Sequence, residues 1–282
     1  MEVLKTGVLL SILTLLFAWV GFVIAGEQGM IIALVMAAVM NFVSYFFSDT
    51  LVLRHYRAVE VTQSEAQGLY VIVERLTYKA ALPMPKVYII PEALPNAFAT
   101  GRNPSNAAVA VTEGLLKLLS ENEVEAVLAH ELSHVRHYDI LIGTIAATIA
   151  GAIGMLAQMM QFGAMSGSQK NRSNGLLIIV SAIILPLAAS IIQMAISRNR
   201  EYMADAGAAR LTKHPEWLQS ALAKLSAYAK QGTLQEATPH SAHMFIVNPF
   251  AGKNFSFSSL FSTHPSTEDR IARLEELKFE IH

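Results

Sequence analysis

Uncharged apolar runs alternate with polar stretches along this chain, and the runs come in pairs. Residues 7–25 read GVLLSILTLLFAWVGFVIA and residues 30–47 read MIIALVMAAVMNFVSYFF, with no charged side chain in either. Each reaches the roughly 18–20 apolar residues that cross hydrocarbon as a helix. Only Gly26, Glu27, Gln28 and Gly29 separate them. The pattern therefore predicts a membrane-anchored helical hairpin rather than a cleaved leader, and its length disfavours a buried pair in a soluble core. A second apolar pair follows at residues 140–165 and 176–196. The first of these is rich in Gly and Ala, which suits close packing in lipid, and Pro186 predicts a kink in the second. Gln158, Gln161 and Gln193 leave two readings open: full crossing, or a hairpin packed against the other helices.

The polar stretches carry shorter periodicities. Thr62-x-x-Glu65 reads as a helix cap, and Leu69, Ile72, Val73 and Leu76 follow at helical spacing, which predicts a helix over residues 62–80. KVYII at 86–90 reads as a strand. NAFATG and AAVAV flank the turn RNPSN at 102–106 and predict a β-hairpin. Ser120-x-x-Glu123 opens another helix, with Val124, Val127 and Leu128 on its apolar face, and this helix can continue into the third apolar run. The expected fold is an α+β integral membrane protein with four transmembrane helices and a mainly helical cytoplasmic part with a small β-sheet. Its segments are an N-terminal transmembrane hairpin (1–48), a polar part with the sheet (49–139), a second hairpin (140–196) and a C-terminal polar part (197–282).

Composition sharpens this picture. Of 282 residues, 53% are hydrophobic and only 15% charged, well below the charged share of an ordinary soluble domain. The net charge of −1 gives no broad attraction for nucleic acid. With no cysteine, disulfides and thiolate metal sites are excluded, so a metal here must be held by histidine and carboxylate. Arg54, Arg57, Arg136, Arg198 and Arg200 flank the apolar runs on one side, against Lys170 and Arg172 on the other. The positive-inside rule then puts both termini and both polar parts in the cytoplasm. No phosphate-binding loop is present, so no nucleotide is expected.

The chemistry is concentrated in AVLAHELSHVRHYD at residues 126–139. On a helix His130 and His134 project from one face, one turn apart, so their ring nitrogens can close on one ion. Glu131 lies beside them, able to reach water near that ion but not aimed at the ion itself. This H-E-x-x-H arrangement is that of zinc hydrolases, which need a third ligand and an open position. SRNREYMADAGAARL at 197–211 offers Glu201 as that ligand. If the second apolar pair is a hairpin, it returns the chain to the membrane surface it left after His134. Asp205, one turn on, can accept a hydrogen bond from a ligating histidine, and Asp139 is a second acid near the motif. The bland alternative is that Glu201 and Asp205 pair with nearby arginines as surface charges.

Taken together, HELSHVRHYD at 130–139, REYMADAGAARL at 200–211, LPMPKVYIIPEALPNAFATGRNP at 82–104 and STHPSTEDRIARL at 262–274 resemble the HtpX-type membrane zinc endopeptidases, relatives of the CAAX prenyl endopeptidases. The resemblance covers nearly the whole chain and implies that the mainly helical cytoplasmic part is zincin-like. It implies one Zn2+ per chain on His130, His134 and Glu201, Glu131 as catalytic base, a multi-pass inner-membrane location and a role in membrane-protein quality control. It also implies a functional histidine at His264, a candidate donor to the oxyanion, with a loop histidine capping a turn as the competing reading. Arg270 is a candidate partner for an acid near the zinc.

The same resemblance suggests Asn96, Phe98 and Ala99 as substrate-binding residues. NAFATG can form an edge strand that pairs with an extended peptide, or an ordinary hairpin strand. The phenylalanine-rich segment 243–261 reads as a lid, a groove, a membrane-lying loop or plain core. His137 is left out of the ligand set. The expected partners are protein or peptide substrates, unfolded membrane-protein segments above all, and the lipid bilayer. Two other functions compete: a non-catalytic scaffold held by a structural zinc, and a processing peptidase for a specific lipidated substrate.

Overall fold

A computed structural model of the protein describes residues 2–141, 198–230 and 265–281. All but the start of the second apolar pair, His264 and the segment 243–261 lie outside the described residues. The first helical element, α1 (Glu2–His55), reverses direction at Gly26, whose φ of 63° is open to glycine at little cost. Asn41 Nδ2 donates to Thr14 Oγ1 at 2.8 Å across a separation of 27 positions. A straight helix would hold two such residues about 40 Å apart. Ala18 and Ala37, one turn from that hydrogen bond on each arm, are buried, so small side chains let the arms approach. Leu15, Trp19, Phe22, Ile32, Met36 and Phe42 face outward. The arm Gly26–Phe47 has a mean hydropathy of 2.2 and is only 6% buried, and it is long and apolar enough to cross a membrane.

The end of α1 seats on a four-stranded sheet of order β1-β2-β4-β3, formed by β1 (Val59–Glu60), β2 (Lys86–Ile90), β3 (Ala97–Gly101) and β4 (Ala107–Thr112). β2 and β4 are parallel; β1 and β3 run antiparallel to their neighbours. The hairpin from β3 to β4 turns through a single 3-10 turn in which Asn103 accepts from the Asn106 N–H at 3.0 Å. Alternation along the strands divides the side chains between two cores. Val87, Ala97, Val109 and Val111 face the helices. Ile90, Phe98, Ala108 and Ala110 face Val52 and Leu53 at the end of α1. Arg102, at the hairpin turn, lies 5.6 Å from the Phe46 ring centroid and adds a second grip on α1. β1, too short to register as a pattern, extends the sheet beyond β2, and β3 is left at the other edge.

Six further helices complete the described part: α2 (Gln67–Ala80), α3 (Glu113–Leu118), α4 (Glu121–Arg136), α5 (Arg198–Thr212), α6 (Pro215–Lys230) and α7 (Thr267–Ile281). Leu69, Ile72, Val73 and Leu76 of α2 are buried in the same core as Val127, Leu128 and Leu132 of α4. The expected start of α2 is displaced: Thr62 and Glu65 form a turn, and the helix begins at Gln67. The Thr62 hydroxyl is committed to the Glu65 carboxylate at 2.7 Å, so it caps no backbone N–H. Nor does α4 run straight on toward the next apolar run. It stops at Arg136, and Tyr138 takes a left-handed φ of 62° before a further helical turn begins at Asp139.

The N-terminus of α4 has the capping box expected of Ser120 and Glu123, and α6 reinforces it. Glu123 accepts from Ser220 Oγ at 2.6 Å and from Lys224 Nζ at 2.7 Å. Burial opposes the charge on Glu123, but Lys224, Ser220 and Ser120 hold its carboxyl down to about 2 from the ordinary 4.5. A depressed carboxyl stabilises the fold above its unfolded value and loses that contribution as pH falls. Glu123→Gln should therefore destabilise the metal-free protein at neutral pH by on the order of 3 kcal/mol. In thermal melts the gap to the parent should narrow as pH falls below 4.5 and close near 2.

Candidate metal centre

α4 and α5 cross at unusually short range. A Cβ on Gly207 would lie 2.3 Å from Ser133 Oγ and 2.9 Å from Ser133 Cβ, so only glycine permits the approach. The face of α5 toward α4 is built of small residues, with Ala204, Ala208 and Ala209 all buried. The crossing brings Glu201, in the first turn of α5, over His130 and His134 of α4. The two Nε2 atoms stand 3.2 Å apart; Glu201 Oε2 is 3.7 Å from that of His130 and Oε1 is 3.5 Å from that of His134. All three residues are largely shielded from solvent.

The outer nitrogens of both rings are held by carboxylates. His130 Nδ1 lies 2.9 Å from Asp205 Oδ1, and His134 Nδ1 lies 3.1 Å from Asp139 Oδ2. With Nδ1–H donating outward, each Nε2 turns a lone pair toward the other and toward Glu201. Such an arrangement repels itself unless a cation sits among the donors. Donors about 2.0–2.1 Å from a tetrahedral ion are spaced about 3.3–3.4 Å apart, close to the distances found, so these residues fit a metal of zinc's size. Asp139 owes its position to the break at Tyr138. Five residues along an unbroken helix it would point about 140° away from His134. Arg200 Nη1 approaches Asp139 Oδ1 at 3.7 Å from the other side.

α7 supplies the remaining charge. Arg270, 1% exposed, clamps Asp205 with Nε on Oδ2 at 2.8 Å and Nη2 on Oδ1 at 2.7 Å. Its Nη1 is 3.7 Å from Glu201 Oε2. Burial pushes the Asp205 carboxyl up, but Arg270 and His130 outweigh it and hold the group below the usual carboxylate range. Arg273, one turn on, stacks on the Tyr202 ring at 3.7 Å and fixes α7 along α5. Glu131 is buried beside the histidines, and its Oε2 accepts from the Ala99 N–H of β3 at 3.0 Å. Burial raises its carboxyl above the usual range, against the pull of His130 and His134.

Of the residues singled out from sequence, His130, Glu131, His134, Asp139, Glu201, Asp205, Arg270 and Ala99 thus converge. His137 stands at the C-terminal cap of α4, outside the donor set. Asn96 is buried next to β3, its N–H donating to Thr112 Oγ1 at 2.8 Å. The Phe98 ring points to the opposite face of the sheet, among Val52, Leu53 and Tyr56, because alternate residues of a strand face opposite ways. Its side chain is therefore part of the α1 seat. From sequence, Ser133, Gly207, Tyr202 and Arg273 had no assigned role, and Arg200 stood only as a flanking charge and a possible partner for Glu201 or Asp205. The run of small residues in MADAGAA was the available sign of the close crossing.

Two histidines one turn apart, a carboxylate from a second helix and a buried glutamate alongside define a metallopeptidase centre. The chain belongs to peptidase family M48, whose model matches residues 63–278, and it is accordingly a metalloprotease. It is similar to proteins named Protease HtpX homolog. That of Campylobacter hominis is 67% identical over 279 residues, covering 99% of each chain. That of Campylobacter curvus is 63% identical over 283 residues, covering 100% of this chain and 99% of its own. That of a Sulfurovum species is 62% identical over 279 residues, covering 99% and 100%. Among solved structures, the crystal structure of S. mikatae Ste24p aligns with a TM-score of 0.54 at 17% identity, a likeness of fold. The alignment covers 92% of this chain, which spans 61% of the length of Ste24p.

Burial disfavours protonation of His134, yet Asp139, Glu201 and Glu131 raise the ring to about 9 in the metal-free centre. A metal must displace that proton. Chelator-competition titrations should show affinity rising about tenfold per pH unit and levelling off above about 9. Gly207→Val should force α4 and α5 apart and weaken metal binding at least about tenfold. Adding Ser133→Gly to Gly207→Ala, which removes the clashing atoms, should restore metal content measured by atomic emission.

Proposed function

We propose that this metalloprotease is a zinc endopeptidase seated in the bacterial inner membrane, with its centre on the cytoplasmic side, that cleaves unfolded or damaged membrane-protein segments. One observation carries the chemistry: three electron-pair donors converge on one point while a buried glutamate stands beside them, tied to an edge strand. Three donors leave a fourth position open, as catalytic zinc sites do and structural ones do not. When bound, the metal supplies Lewis acidity, polarising a peptide carbonyl and making water acidic enough to be the nucleophile.

The chain's own residues do the rest. Glu131 keeps Oε2 on the Ala99 N–H and has Oε1 to take the proton of the attacking water and return it to the leaving amine. Its raised affinity for a proton suits both transfers. Because the Ala99 N–H points away from β4 to Glu131, the backbone groups of Ala97 and the Ala99 carbonyl face the edge of β3 that no described strand covers. An extended peptide pairing there lies against Glu131, which favours unfolded segments over folded ones. Asn96 steadies the start of this strand through Thr112. His264 is the proposed donor to the developing oxyanion; it precedes α7, the helix that carries Arg270 into the site.

The membrane assignment rests on α1. Its exposed apolar arms need a non-aqueous surrounding, and its end packs directly beneath the strand that holds Glu131. The excess of Arg at the polar ends of the apolar runs supports the cytoplasmic side. A role in quality control draws on the likeness to the HtpX homologues. A scaffold held by a structural metal would have no use for a buried acid outside the donor set. Purified Glu131→Gln should keep its metal and its melting temperature and lose about 100- to 10,000-fold in cleavage of an unfolded substrate. Cleavage equal to the parent's would remove the enzyme reading.

A further inference from the structure

On the side of the α4–α5 crossing away from the metal donors, a cleft of about 570 Å³ opens. Ser133 and Gly207 lie in its lining at the point of closest helix approach. Arg136, His137 and Arg210 also line it, with Tyr202 and Met203 among the less polar walls, and no carboxylate does. Among the described residues, neither Arg136 nor Arg210 makes an ion pair or side-chain hydrogen bond. Among the described residues, His137 Nδ1 is buried without a hydrogen-bond partner. An exposed arginine fork on each helix and a shielded ring nitrogen without a partner among the described residues suit an anionic acceptor.

From this cleft we infer that the protein binds a phosphate group between α4 and α5, presented by an anionic phospholipid headgroup. Guanidinium forks match phosphate oxygens in geometry as well as charge. Basic pockets at the ends of membrane helices are the usual seats of such headgroups. Arg136 and His137 come just before the apolar run that starts at residue 140, and Tyr202 and Met203 just after the one that ends at 196. The cleft therefore sits at headgroup depth if both runs enter the membrane, a step that rests on the membrane reading above. The phosphate itself would bridge the two helices whose crossing assembles the metal donors. Free inorganic phosphate offers the same chemistry without the glycerol.

The test uses the full chain carrying Glu131→Gln, in neutral detergent, so that its outcome is independent of peptidase activity. Isothermal titration with dihexanoyl phosphatidylglycerol should give saturable binding that dihexanoyl phosphatidylcholine does not. Arg136→Gln with Arg210→Gln should weaken it at least about tenfold. Ala206→Phe, which fills the cleft and leaves the charge unchanged, should weaken it similarly. Arg54→Gln with Arg57→Gln, which removes equal charge elsewhere, should leave it unchanged. Metal content of each variant reports that the fold is intact. Competition by inorganic phosphate would support the phosphate site and name free phosphate as a ligand; competition by the lipid alone would assign the headgroup. Equal binding by the parent and both cleft variants, an equal loss in the Arg54 and Arg57 control, or no saturable binding of either probe would overturn the inference.

Discussion

A buried guanidinium organises this molecule. Arg270 is removed from water, and that is tolerable because Asp205 takes two of its hydrogen bonds and Glu201 lies close by. The same contact fixes the tautomer of His130 through Asp205 and ties α7 to α5. Among the described residues, the charges around the centre count as the carboxylates of Glu131, Asp139, Glu201 and Asp205 against the guanidiniums of Arg200 and Arg270. The two carboxylates left over match the charge of a divalent cation. In its absence a proton on His134 makes up part of the deficit, which is why that ring holds its proton so firmly.

Helix packing gives this electrostatic arrangement its geometry. α4 is the shared wall: α2 and the sheet cover it on one side, and α5 and α6 on the other. Its start is gripped by Ser220 and Lys224 through Glu123, while its end is turned at Tyr138. Between those two fixed points His130 and His134 have little freedom to move, as a metal centre requires. Arg75 adds a further tie from α2 to Glu125 at 2.6 Å.

Much of this was legible in the residue pattern because it is local. The apolar face of α2, the Ser120 and Glu123 cap, the β3–β4 hairpin and the one-turn spacing of His130 and His134 all depend on neighbours within a few positions. Glu201 was reachable only by a topological argument, and Arg270 only as a candidate. What stayed hidden depends on direction or on distant contacts. Thr62 and Glu65 satisfy the cap pattern yet bond to one another. The left-handed Tyr138 carries no signature residue, since neither Gly nor Asn stands there. The burial side of Phe98 depends on what covers the far face of the sheet, and the Ser133–Gly207 approach depends on two segments far apart in sequence. The structural likeness to Ste24p at 17% identity illustrates the same division: the architecture persists where most side chains differ.

β3 is held from both sides by consecutive residues. Phe98 is sunk against Val52, Leu53 and Tyr56 at the foot of α1, and the next residue, Ala99, holds Glu131. The apolar helix and the proposed base are thus mechanically in series, with no loop between them to absorb motion. Helices of fixed apolar length accommodate bilayer thickness by tilting. On the proposed membrane reading, any such tilt of α1 would be handed to Glu131 through a single peptide unit, making hydrocarbon thickness an input to the reaction geometry.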